Sequence, residues 1–378
     1  MADMAEILQH HGFTSAQIKK IVCFFENISD NPFSRRSLHQ TVIDYFAFFD
    51  GLDINQDTVR KMITSYPLSL RKKFTRIDEN LDALSKQLGI AHEKIAKSFV
   101  KNPRLFWKNT DNLLKNAVQT TLALCQGEQS KKESDMPVEN IFNAFLGYPT
   151  LWTLKPQIIV KNVFQTAQLL GVGKNDFLKA CLKHPTLFSS KPTTIYEHVS
   201  QTSTNLNIPM QKLIACYLKY PTLFSLKPER ILSNARENAK NLNASIDEIA
   251  AMYLIQPPLF YTKPEEIKHK YYSMMHMYLK GLFRLRKDGH KINPQTFRQY
   301  IFNSPDLLNV SRDNLHIKCA YARYMRDEKK QIIIGLKQKK QQLCQILLSE
   351  PSHEFIAKNQ LVYWILCGRT KRRSPRMR

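Results

Sequence analysis

The chain has 378 residues, of which 43 % are hydrophobic and only 11 are glycine, and it carries a formal net charge of +24. That apolar fraction excludes wholesale disorder, and so little glycine argues against a many-stranded sheet with tight hairpins and against a glycine-rich phosphate loop. With 56 Lys and Arg against 32 Asp and Glu, the field attracts polyanions, so the partner classes are nucleic acid, an anionic membrane surface or an acidic protein.

The seven cysteines are scattered, odd in number and form no Cys-x-x-Cys. They read as reduced, mostly buried thiols of an intracellular, reducing compartment rather than as a disulfide framework or zinc site. No apolar run approaches the ~18 residues that span a bilayer, so no membrane insertion is expected. The opening MADMAEILQHHGF is acidic and lacks arginine. It resembles neither a secretory signal nor a transit peptide; the nucleus and the mitochondrion are the candidate locations for a eukaryotic protein or one delivered to a host.

In chain order, residues 1–31 read as N-terminal cap helices. Residues 32–304 read as an array of units of about 36 residues. A weak copy begins at Pro32, YPLSLRKK carries Pro67, and NPRLFWKN carries Pro103. Four clear copies follow: YPTLWTLKPQII, HPTLFSSKPTTI, YPTLFSLKPERI and QPPLFYTKPEEI, with marker prolines Pro149, Pro185, Pro221 and Pro257 spaced by 36 residues each. Two longer intervals, before Pro149 and after Pro257, contain polar insertions at 127–136 and 284–294. Insertions into a regular period map to loops. Residues 305–368 read as degenerate, strongly basic terminal repeats and a cap, and 369–378 as a basic tail.

Each unit predicts two helices and a short turn. The stretch after Lys-Pro has apolar residues at helical spacing, such as Ile159, Val163 and Leu170. Proline suits the first helical position because its missing N–H would be unpaired there. Gly89, Gly171, Asn207 and Asn243 then stand where a left-handed residue ends a helix. A shorter periodic stretch follows, as in 210–220, until Pro-Thr-Leu-Phe stops it. One unit cannot bury its stripe alone, so the expected fold is an all-α helical-repeat solenoid, of right or left hand. The repeated Leu-Phe pairs, such as Leu187–Phe188 and Leu223–Phe224, invite base stacking. Fixed register on a stacked unit favours packing between repeats instead.

Lysine recurs six residues after the marker proline, at Lys73, Lys155, Lys191, Lys227 and Lys263, with Lys108 one place early. In a stacked repeat such residues form a ladder, and each precedes a helix start that itself favours anions. The same lysines could instead be solvated caps. From Lys268 to Arg378 there are 24 Lys and Arg against 7 Asp and Glu, more than solubility needs. Arg284, Arg286, Arg312, Arg323 and Arg326 are the nucleic-acid-binding candidates there. Aromatic residues among these charges, including Tyr271, Tyr272 and Tyr321, could stack on bases but at helical spacing are more often core.

No Gly-x-Ser-x-Gly, Walker loop or His-Glu-x-x-His is present. The sequence therefore predicts no catalytic residue, metal site, cofactor or small-molecule substrate. The histidines, among them His10, His11, His184 and His198, form no ligand spacing, and each reads as a surface or satisfied side chain.

The Pro-x-Leu-Phe unit, with its Leu-Gly-type break and second helix, resembles the repeat of the mitochondrial transcription termination factor (mTERF) family, from about His11 to Leu308. The resemblance implies three-helix repeats, a curved superhelix and a basic concave face that binds nucleic acid in organelle gene expression. The function expected is binding of double-stranded DNA by a monomer, with an effect on transcription. RNA binding, or a helical scaffold for other proteins, is the alternative.

Overall fold

The predicted punctuation marks real helix ends. The computed structural model describes residues 2–28, 35–72, 74–125, 138–279 and 294–309, and no strand occurs among the described residues. The helices are α1 (Ala2–His10), α2 (Ser15–Glu26), α3 (Arg35–Asp50), α4 (Gln56–Ser65), α5 (Thr75–Leu88), α6 (His92–Phe99), α7 (Thr110–Cys125), α8 (Val138–Gly147), α9 (Pro156–Leu170) and α10 (Lys174–Lys183). They continue with α11 (Pro192–Leu206), α12 (Met210–Lys219), α13 (Pro228–Leu242), α14 (Ile246–Ile255), α15 (Pro264–Leu279) and α16 (Pro294–Asn303). Two compact units divide at Thr194 and Ile195, in the first turn of α11.

The repeat is a long first helix, a shorter second helix and a 3-10 turn. Pro156 and Pro228 stand in the first helical turn behind the extended N-caps Lys155 and Lys227. Gly171 (φ +66°) and Asn243 (φ +48°) end the same helices in the left-handed region. The Pro-x-Leu-Phe motif is the 3-10 turn itself, as at Pro149–Thr153, Pro185–Ser189 and Pro221–Ser225.

In the first unit, α7 packs on α9, α9 on α10, and α8 on both α6 and α10. In the second, α13 packs on α14 and α15, and α14 on α12. Within each unit the 3-10 turn folds back on the first helix of its own repeat: Pro103–Trp107 on α5, Pro149–Thr153 on α7, Pro185–Ser189 on α9, Pro257–Phe260 on α13.

The Leu-Phe pairs are architecture. Leu105, Phe106, Leu151, Trp152, Leu187, Phe188, Leu223, Phe224, Leu259 and Phe260 are all buried. The motif ring meets an aromatic ring of its own second helix: Phe99 with Phe106 at 5.6 Å, Phe145 with Trp152 at 5.3 Å, Tyr217 with Phe224 at 5.2 Å. It also meets one from the repeat before, as Phe99 does Trp152 at 5.8 Å and Tyr217 does Phe260 at 6.0 Å. These edge-on contacts link neighbouring repeats and add ~0.5–1.5 kcal/mol each beyond the burial of the rings.

The cysteine expectation is met only in part. Of the four described thiols, Cys181 and Cys216 are buried but Cys23 and Cys125 are exposed, while Cys319, Cys344 and Cys367 lie outside the described residues. Cys23 falls on the outer face of its helix, and Cys125 is the last residue of α7. The insertion at 127–136, residues 284–293 of the second insertion, Pro32 itself and everything beyond residue 309 lie outside the described residues.

Candidate nucleic-acid interface

The register lysines stand where the chain passes from a 3-10 turn into the next first helix. Lys155 and Lys227 are the N-caps of α9 and α13, with extended backbone and side chains exposed to solvent. Neither helix start receives a side-chain cap, so its first turn is open to an external acceptor. Lys191 and Lys263 occupy the same place before Pro192 and Pro264 and are likewise exposed, as is Lys108. Lys73, Arg284, Arg286, Arg312, Arg323 and Arg326 lie outside the described residues.

Helix starts at the other end of the repeat are mixed, since α6, α10 and α12 also receive no side-chain cap. Ser245 caps α14 through a reciprocal box with Glu248, and Asn55 caps α4 by accepting from the Thr58 N–H. The acidic residues of the second helices gather in these first turns: Asp57, Glu93, Glu139, Asp176, Asp247 and Glu248. Asp53 and Asp57 are held below the ordinary carboxylate range by hydrogen bonds from Lys97 and Arg60. The outer face of the second unit's first helices forms an open groove lined by Glu229, Arg236, Glu237, Lys240 and Lys268, mixed in sign.

A polar rung that the sequence reading missed fixes the 3-10 turns. Thirteen residues after the marker proline stand Asn80, Asn116, Asn162 and Asn234. Each donates its Nδ2–H to the carbonyl of the next motif's aromatic residue: Phe106 (2.7 Å), Trp152 (3.3 Å), Phe188 (3.0 Å) and Phe260 (3.4 Å). Tyr45 acts equivalently, donating to Ser69 O at 2.7 Å. A carbonyl at the end of a short helix has no intrahelical partner, so the asparagine supplies one. Two positions break the rule. His198 has a buried Nδ1 with no partner, and Lys270 turns instead to Glu266 at 2.7 Å. The 36-residue alignment already contained this signal, as a repeated Asn inside an apolar helix face.

The aromatics of the basic region are divided. Tyr271 is buried against Phe297, whereas Tyr272 is exposed and donates to Asn241 O at 3.1 Å. Tyr321 lies outside the described residues. His10, His11 and His39 form a cluster, and the expectation of surface or satisfied histidines fails instead at His198, whose buried Nδ1 has no partner. His11 Nε2 lies 3.1 Å from His39 Nδ1, and the His10 ring centroid lies 5.4 Å from that of His11. No group of His, Cys, Asp and Glu among the described residues could hold a metal ion. No helix among them is long and apolar enough to cross a membrane.

The family model described as mTERF matches residues 33–283, well over half of the chain. Among curated proteins, none matches this sequence.

Proposed function

The chain belongs to the mTERF family, whose members bind nucleic acid and act in transcription and gene expression, and from that premise we propose that it binds double-stranded DNA in a basic groove and so regulates transcription. The observation that carries the reading is the exposed lysine repeated at each first-helix start: Lys155, Lys191, Lys227 and Lys263, with Lys73 in the same register. A cation beside a helix N-terminus that no side chain caps is suited to phosphate. Arg284, Arg286, Arg312, Arg323 and Arg326 add to the field that brings a polyanion in. The phosphate contacts position the protein, and the target sequence is read by other side chains at base edges. The chain acts as a monomer and carries no chemistry of its own.

The test is a salt titration of binding to a random-sequence DNA duplex, followed by fluorescence anisotropy. Each phosphate neutralised contributes about −0.9 to the slope of log K against log salt, so a slope of roughly −4 or steeper is expected. Substituting Lys155, Lys191, Lys227 and Lys263 together by Gln lowers that slope by up to ~3.6. A flat salt dependence overturns the reading. Stronger binding to single-stranded RNA under the same conditions replaces DNA by RNA as the ligand.

A further inference from the structure

The lysines that follow the marker proline are half of a larger pattern. Two residues before the proline, at or just past the end of the second helix, stand Lys101, Lys183 and Lys219, all exposed. Three 3-10 turns are thereby bracketed: Pro103–Trp107 by Lys101 and Lys108, Pro185–Ser189 by Lys183 and Lys191, Pro221–Ser225 by Lys219 and Lys227. The turns at Pro149 and Pro257 carry only the later lysine, with Gly147 and Ile255 in the earlier place.

Two observations set these six lysines apart. First, the ion pairs of the described residues use other cations: Arg60 with Asp57, Lys86 with Asp82, Lys97 with Asp53, Lys270 with Glu266 and Arg298 with Glu248. Second, the acids of the second helices sit in the first turn, at the opposite end from Lys183 and Lys219. In α6 and α10 charge is thus sorted along the helix axis, with Glu93 and Asp176 in the first turn and a lysine at the 3-10 end. A half-buried ring supports one of these lysines, since Lys219 Nζ lies 5.7 Å from the Tyr220 ring centroid.

We infer that the bracketed 3-10 turns are the points at which this chain grips a sugar–phosphate backbone, one lysine from the end of a second helix and one from the start of the next first helix holding the same strand. The inference rests on the nucleic-acid reading above and adds Lys101, Lys183 and Lys219 to its residues. The dimensions suit it. A five-residue 3-10 turn is about 10 Å long at ~2.0 Å per residue, and one strand of a duplex places a phosphate every ~3.4 Å along its axis. A lysine at a helix C-terminus also offsets the helix dipole, which affects stability and not salt-dependent binding.

The experiment compares two triple variants of the full chain that lose the same three charges. One is Lys101→Gln, Lys183→Gln and Lys219→Gln. The other is Lys161→Gln, Lys212→Gln and Lys240→Gln, three exposed lysines away from the 3-10 turns. Circular dichroism and urea midpoints establish that both are folded. For the random-sequence duplex at ~0.1 M salt, the first triple is expected to weaken binding at least tenfold and to lower the salt slope by up to ~2.7. The second is expected to weaken it by less than about threefold, through the general field alone. Equal losses in the two triples overturn the inference while leaving the proposed function standing. A wild-type chain that does not bind the duplex sinks both.

Discussion

Asn162 does a job that no neighbour can take over. Its helix position is buried, and the Phe188 carbonyl it serves lies at the end of a 3-10 turn. Asn162→Ala leaves that carbonyl without a partner and is expected to cost ~1–3 kcal/mol. His198 is the natural exception in the same register, with an unpartnered buried Nδ1. His198→Asn restores the rung towards Phe224 and is expected to stabilise the chain by about 1 kcal/mol. Urea midpoints for the two variants check both signs, and a His198→Asn midpoint below wild type would count against the rung. The asparagines were visible in the aligned repeats, but their partner was not. A hydrogen bond across 26 residues to a backbone carbonyl leaves no mark on sequence spacing.

Among the elements, the N-terminal cap is the one whose stability should follow pH. His10 and His11, at the end of α1, meet His39 of α3, and α1 packs on α3. Burial lowers the His11 pKa, and the neighbouring His39 and His10 lower it further. Arg60 of α4 donates to the His11 carbonyl at 2.9 Å, so another positive charge faces the cluster; Asp57 on the same helix pairs with that guanidinium. The neutral imidazole is therefore favoured in the folded cap, and the unfolded chain binds the proton more readily. Stability contributed by this group is full above the ordinary histidine pKa near 6.5 and is lost as pH falls through it. The protection factors of α1 and α3 amides, corrected for the pH dependence of intrinsic exchange, are expected to fall between pH 7.5 and 5.5, and His11→Gln to flatten that fall. An unchanged pH profile in the variant would assign the effect elsewhere. The sequence showed His10 and His11 side by side, while His39 joins them only because α3 returns to α1.

For the whole molecule, the excess of positive charge is the dominant long-range term. A net +24 destabilises a compact chain through self-repulsion. Raising sodium chloride from ~0.1 M to ~1 M shortens the screening length from ~10 Å to ~3 Å. The melting temperature measured by circular dichroism is therefore expected to rise with salt over that range. A duplex that binds the folded state is expected to raise it at low salt, by linkage. A melting temperature that falls with salt would show that attractive pairs such as Arg298 with Glu248 outweigh the repulsion.

The sequence by itself determined the period, the helix ends and the core. Proline, glycine and asparagine act on the backbone locally, and a 36-residue period forces each Leu-Phe pair into one packing environment, as the burial of Leu187, Phe188, Leu223 and Phe224 bears out. Only the tertiary structure decided which polar groups meet. The Asn rungs and the histidine cluster depend on which helix packs on which. The +6 lysines were legible because they repeat beside a marker. Lys101, Lys183 and Lys219 were not, because only the structure shows that the segment between each and its later lysine is a 3-10 turn with both lysines exposed.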